Sequence, residues 1–211
     1  MFEDGFLPLS PLNFFEISLP CHEVKKAGAI EEKKYLLPST EWLSAEDNPF
    51  IFHLGWSHEG IYFYCETDET FEDPNFPSLI QGDSIELFID TRDMKNVGTL
   101  TKFCHHFYFL PSIVEGHQKG EITRFRGEDA HELSDPSDLE FHVKKKGSST
   151  KMTGFIPKKA LFGYDPSQFK RLGFTYRINR RYANSVHFSV KTDEFNIEQE
   201  SSLWASLNLI N

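Results

Sequence analysis

The residues of this 211-residue chain best equipped for chemistry fall in Gly82-Asp83-Ser84-Ile85-Glu86-Leu87-Phe88-Ile89-Asp90-Thr91-Arg92-Asp93. Glu86, Asp90 and Arg92 occupy even positions of one extended run, so a strand would set them on one face. Carboxylates accept hydrogen bonds from hydroxyls and a guanidinium donates a planar fork. Together they suit the capture of a sugar or another small polar ligand. The same row is equally a solvated outer face with an Arg–Asp pair worth about 0–1 kcal/mol. Hydrolysis by Glu86 and Asp90 is rejected on distance. Four residues at ~3.3 Å each separate their α-carbons by about 13 Å, whereas glycosidase carboxyls stand roughly 5–9.5 Å apart. No catalytic residue is assigned.

Other groups invite metal or nucleophile chemistry. Adjacent strand residues point to opposite faces, so His105 and His106 cannot easily share an ion. A site on His106 would need His53, His187 or Asp90 from neighbouring strands. No Cys-x-x-Cys or His-x-x-x-His spacing supports zinc. The plainer expectation makes one histidine a hydrogen-bonded core residue and the other part of a polar surface. Cys104 shares a face with His106, but nothing in so acidic a chain supplies the electropositive surroundings a thiolate needs. Asp68, Glu72, Asp73 and Asp83 resemble an acidic calcium loop without the Asp-x-Asp-x-Asp-Gly spacing. Ca2+ therefore stands as a candidate cofactor beside the reading of a plain acidic loop. Lys144–Lys146 and Arg180-Arg181 sit at turns, as solubilising hairpin ends.

The elements that must position these groups are strands. Ile85, Leu87 and Ile89 alternate with Ser84, Glu86 and Asp90, the period of a strand with one apolar face. Phe50, Phe52, Leu54 and Trp56 form another, joined through Ser57-His58-Glu59-Gly60 to Ile61–Cys65. Lys102–Leu110 reads as a long aromatic strand, with His106 and Tyr108 on one side and Phe107 and Phe109 on the other. A long excursion at 112–137 carries one short strand around Ile122. Strands at 139–143 and 152–156, a short helix at Lys158–Phe162, and strands at 172–178, 186–190 and 204–210 complete the chain. About ten short strands with one or two short helices specify an all-β fold. The expected form is an antiparallel β-sandwich of immunoglobulin-like or jelly-roll type, a single domain over 1–211 with 1–37 as an N-terminal extension packing on it.

Bulk composition agrees. Hydrophobic residues are 39% and charged residues 26%, enough apolar surface for a core, and phenylalanine occurs 21 times. The net charge of −10 repels duplexes and anionic membranes, so neither nucleic acid nor membrane is an expected partner. Cys21, Cys65 and Cys104 lack framework spacing and read as free thiols. The N-terminus has no basic n-region or apolar h-region, and the expected location is cytoplasmic.

The run from aromatic strand 61–65 through the acidic Glu66-Thr67-Asp68 loop to Gly82–Asp90 resembles carbohydrate-binding module family 9 and its DOMON-like relatives. Ile156-Pro157-Lys158-Lys159-Ala160-Leu161, Leu172-Gly173-Phe174-Thr175-Tyr176-Arg177-Ile178-Asn179 and Ser202–Leu209 resemble further family segments in the same order. The likeness covers roughly residues 38–211. It implies a non-catalytic sandwich, often calcium-bound, that holds sugar ends in a shallow site. By motif position it carries over Glu86 as a polar contact and Arg177 with Asn179 on the neighbouring strand. The family's two clamping tryptophans are absent: the upstream position falls near Ile80, and the downstream loop holds Phe195 and Glu198. The ligand-binding set expected on the sheet face is Glu86, Arg92, His106, Tyr108, Arg177 and Asn179. Two alternatives accompany it. One is a protein-interaction domain that lost the sugar. The other is a DOMON-like haem or redox carrier with His105 or His106 and Met94 or Met152 as axial ligands.

Overall fold

The computed structural model describes residues 17–39, 47–96, 99–189 and 196–211. In chain order its strands are β1 (Ser18–His22), β2 (Phe50–Ser57), β3 (Gly60–Thr67), β4 (Ser84–Asp90), β5 (Cys104–Val114) and β6 (His117–Glu121). They continue with β7 (Glu140–Lys146), β8 (Ser149–Pro157), β9 (Arg171–Arg180), β10 (Ala183–His187) and β11 (Ala205–Ile210). The large sheet runs β1-β11-β9-β4-β5-β6, with β10 also paired to β9, and the small sheet runs β2-β3-β8-β7. Among the named strands every ladder is antiparallel except β1 with β11.

The core between the sheets follows from the alternation. Ile85, Leu87 and Ile89 of β4 are buried with Phe107 and Phe109 of β5 and Phe174, Tyr176 and Ile178 of β9. Phe52, Phe63, Cys65, Phe141, Met152 and Ile156 meet them from the small sheet. Aromatic rings bridge the layers: Phe63 and Phe109 centroids are 4.7 Å apart, and Phe52 and Tyr176 are 4.5 Å apart. Each buried ring stabilises the fold by roughly 1.5–3 kcal/mol, so phenylalanine-rich alternation alone drives the sheets together. Gly154 sits opposite Phe63 in the β3–β8 register, and a Cβ there would lie 2.1 Å from the Phe63 ring. The missing side chain is the space that ring occupies.

Three expectations change in detail. The short helix at Lys158–Phe162 is a single 3-10 turn, Lys158–Ala160, and among the described residues helical structure is limited to such turns. The strand sought near Ile122 is β6, which forms a hairpin with β5 through Glu115-Gly116, both at positive φ. β1 was read as an extension, yet Ser18–His22 lies in the large sheet. Pro20 is tolerated there because β1 is an edge strand. After it, Val24, Ile30 and Tyr35 pack against Tyr64 on the outer side of the small sheet.

Candidate functional site

The polar set lies on the face of the large sheet that looks away from the core. The register places Glu86 between Arg177 of β9 and Tyr108 of β5, with Ser84 opposite Asn179 and Phe88 opposite His106. Even-numbered residues of β4 therefore share one face with odd-numbered residues of β9. Arg177 grips Glu86 in a two-pronged pair, Nε to Oε1 at 2.7 Å and Nη2 to Oε2 at 2.9 Å. His106 Nε2 lies 2.7 Å from Glu86 Oε2, and the Asn179 amide donates to Glu86 Oε1 at 2.5 Å. Asn179 also donates to Ser84 Oγ (2.9 Å) and accepts from Ser185 Oγ (2.9 Å). Arg177 Nη2 reaches Glu198 Oε1 at 2.6 Å.

This is a buried lattice, not the solvated face that alternation alone suggests. Glu86 is 1% exposed, Asn179 0%, Arg177 and Tyr108 3% and His106 5%. Glu198 is the outermost member, its side chain one-third exposed. Irregular segments cover the face on both sides. Ile197 and Trp204 close over Phe88 and Cys104, while Leu79 and Phe76 pack on Tyr108. His106 stacks on Phe88 with ring centroids 4.2 Å apart. Tyr108, Phe76 and His117 form a short aromatic ladder toward solvent, at 5.2 Å and 4.1 Å between successive rings.

The charges are mutually stabilised. Burial pushes the Glu86 carboxyl up, but His106 and Arg177 outweigh it and hold the group down at about 2. Burial works against the Arg177 guanidinium, yet Glu86 and Glu198 leave it more basic than usual. Glu86 is thus an anchored carboxylate that orders Arg177, Asn179 and His106, with every one of these contacts made by a side chain.

Arg92 does not join them. β4 ends at Asp90, whose carboxylate caps the following turn by accepting from the backbone N–H of Arg92 (2.9 Å) and Met94 (2.7 Å). The Arg92 side chain turns away to the Gly163 carbonyl and lies over Phe169 and Phe103, with Cζ 3.6 and 4.6 Å from the ring centroids. The expected Glu86–Asp90–Arg92 row therefore breaks where the strand gives way to a turn. Asp83, set in the acidic loop, is also taken. Its Oδ2 accepts from the backbone N–H groups of Glu72 and Asp73, and its Oδ1 accepts from that of Arg181. Glu72 lies toward Lys145, and among the described residues the acids of this loop do not gather three ligand atoms. Cys104 is buried and its thiol pushed up by burial, as for an inert packed side chain. Phe195 lies outside the described residues.

Three members were missed. Glu198 sits in a loop without periodicity, and nothing in its neighbours marks it as the partner of Arg177. The other two are Glu121 and His131, which meet His105 on the core side of β5. The unusual length of the 112–137 excursion was the available signal.

By sequence the chain matches no family model and no curated protein. Solved structures do match. A carbohydrate-binding module family 9 from Caldicellulosiruptor kristjanssonii in complex with cellotriose superposes with a TM-score of 0.63 at 14% identity, over 91% of this chain and 93% of that one. Its complex with glucose gives 0.64 at 14% identity, over 92% and 95%. The fold is that of a family 9 carbohydrate-binding module. A Bacteroides uniformis protein with a proposed carbohydrate-binding role adds a TM-score of 0.60 at 8% identity, over 92% and 98%. Identity this low establishes architecture and leaves function to be argued from the site. The haem reading finds no support in the placement of its ligands. Met152 is buried between the sheets, on the opposite side of the large sheet from His106, and both His105 ring nitrogens face oxygens.

Proposed function

We propose that this chain is a non-catalytic carbohydrate-binding module that takes a sugar on the outer face of its large sheet. Glu86, His106, Arg177 and Asn179 form the ordered polar floor. Glu198 is the outermost carboxylate, and the Tyr108–Phe76–His117 ladder is the apolar wall. In this reading Glu86 positions its neighbours rather than touching the ligand, since its oxygens are filled. The sugar's hydroxyls meet Glu198, the exposed end of the lattice, where a charged group makes the stronger hydrogen bonds. The ring's apolar face meets the aromatic wall. Arg92 lies outside this set.

The observation that carries the reading is the four-contact anchoring of Glu86 at the motif position of a family 9 fold. A prearranged polar lattice binds with less ordering cost than one assembled on demand. Support comes from neighbours of the same fold that hold glucose and cellotriose. The test is titration calorimetry with glucose and cellotriose, accompanied by a glycan array. Wild type should bind a glycan, and Glu198→Gln and Phe76→Ala should each weaken it at least about tenfold, the loss of one good hydrogen bond or apolar contact. An array on which no glycan is retained, or binding untouched by both substitutions, overturns the reading.

A further inference from the structure

A second cluster stands on the core side of β5, separate from the sugar face. His105 faces the same side as Ile89, while Glu121 ends β6 and His131 belongs to the excursion that follows. One ligand atom from each of His105, Glu121 and His131 lies within 4.8 Å of the others. His105 Nδ1 is 2.9 Å and His131 Nε2 is 2.8 Å from the same oxygen, Glu121 Oε1. Their remaining nitrogens face backbone carbonyls: His131 Nδ1 toward Lys102 O at 2.6 Å and His105 Nε2 toward Phe162 O at 3.5 Å.

Neutral imidazoles cannot donate from all four of these ring nitrogens. Two neutral imidazoles carry one N–H each, yet four ring nitrogens face oxygen acceptors. With the N–H groups directed at the carbonyls, both free lone pairs point at a carboxylate oxygen, and three electron-rich atoms converge without a donor between the rings and the acid. The rings themselves are only 4.3 Å apart. A cation at that point turns three opposed lone pairs into ligands. The outer partners also have the form metal sites use, because each ring is oriented by a carbonyl behind it. Glu121 Oε2 is fixed by the Ser134 backbone N–H at 2.8 Å, and Oε1 by the Thr123 hydroxyl at 2.7 Å. Phe125 and Phe162 pack on His131, and Phe107 on His105, walling the cluster with rings.

We propose that His105, Glu121 and His131 form a binding site for a divalent transition-metal ion of the zinc class, which ties the excursion between β6 and β7 to the sheet. Two imidazoles and a carboxylate are a zinc donor set with a fourth position left for water or the Thr123 hydroxyl. Imidazole nitrogen is a poor ligand for calcium or magnesium, which take oxygens. Residues 122–135 have few backbone ladder bonds of their own, so a metal clip is the device that would order them.

The test uses full-length protein stripped with a chelator and titrated with Zn2+ and, separately, Co2+. The expected result is one zinc per chain, visible cobalt bands of a tetrahedral site, and a 122–135 segment that resists protease with zinc and is cut without it. His131→Gln should lose the stoichiometric metal and the cobalt bands while its circular dichroism stays that of wild type. Wild-type protein that takes up less than stoichiometric zinc, or shows no such cobalt bands, overturns the proposal whatever the variant does. So does undiminished metal in a folded His131→Gln.

Discussion

Replacing Glu86 by glutamine keeps the size and shape of the side chain and removes its charge. The structure fixes what that removes. Arg177 loses a two-pronged anionic partner and retains Glu198, and the new amide N–H group confronts the guanidinium in either orientation. Breaking a buried ion pair on one side costs about 3–5 kcal/mol. The lowered pKa that these same contacts impose gives a second figure. The carboxyl is held at about 2 against an ordinary 4.5, which corresponds to roughly 3 kcal/mol. The two agree, and in a chain of this length such a loss lowers Tm by roughly 6–12 °C. The sign over pH follows. Because the folded carboxyl is more acidic than the unfolded one, its stabilisation is complete above about pH 4.5 and disappears as pH falls toward 2. Urea unfolding of wild type and Glu86→Gln should therefore differ by about 3 kcal/mol at pH 7 and by about 1 kcal/mol at pH 3. A variant within 1 kcal/mol of wild type at pH 7, or a gap that stays constant down to pH 3, refutes the anchored-carboxylate argument.

Phe88→Ala should cost about 3–5 kcal/mol in urea unfolding, since the ring is fully buried beneath His106 and Trp204. The accompanying change in tryptophan fluorescence reports the loosened Trp204. Gly154→Ala should destabilise by about 1–3 kcal/mol, because Phe63 is held against Phe109 and Phe141 and cannot yield to a new methyl group. Thermal unfolding measures it. Arg92→Ala should leave glucose and cellotriose affinity unchanged in calorimetry and lower stability by about 1 kcal/mol through its lost ring contacts. A weakened sugar affinity in that variant would return Arg92 to the binding set.

Much of the architecture was legible because the pattern is local. Ile85, Leu87 and Ile89 alternate, and the register sets β4 beside β9 with those residues inward and Glu86 beside Arg177 outward. What alternation could not show is that the outward residues are also covered. Ser84, Glu86, Phe88 and Asp90 are as buried as their neighbours, because irregular segments around Phe76 and Ile197 fold over them, and such segments carry no period to read. Arg92 was set on the strand because its position is even; the Asp90 cap ends the strand first. His105 was seen without its partners because Glu121 and His131 reach it from a strand end and a loop, so no fixed spacing records the cluster. Pro20 disguised β1, since a proline inside a short run argues against a strand anywhere but an edge.

The parallel pairing of Ser18–His22 with Ala205–Ile210 joins two segments far apart in the sequence. β1 gains its ladder only when β11 is present, whatever else of the sheet has already formed. Closing so long a loop is slow and comes late. Removing Ala205–Ile210 would thus release two strands rather than one, since β1 joins the large sheet through β11.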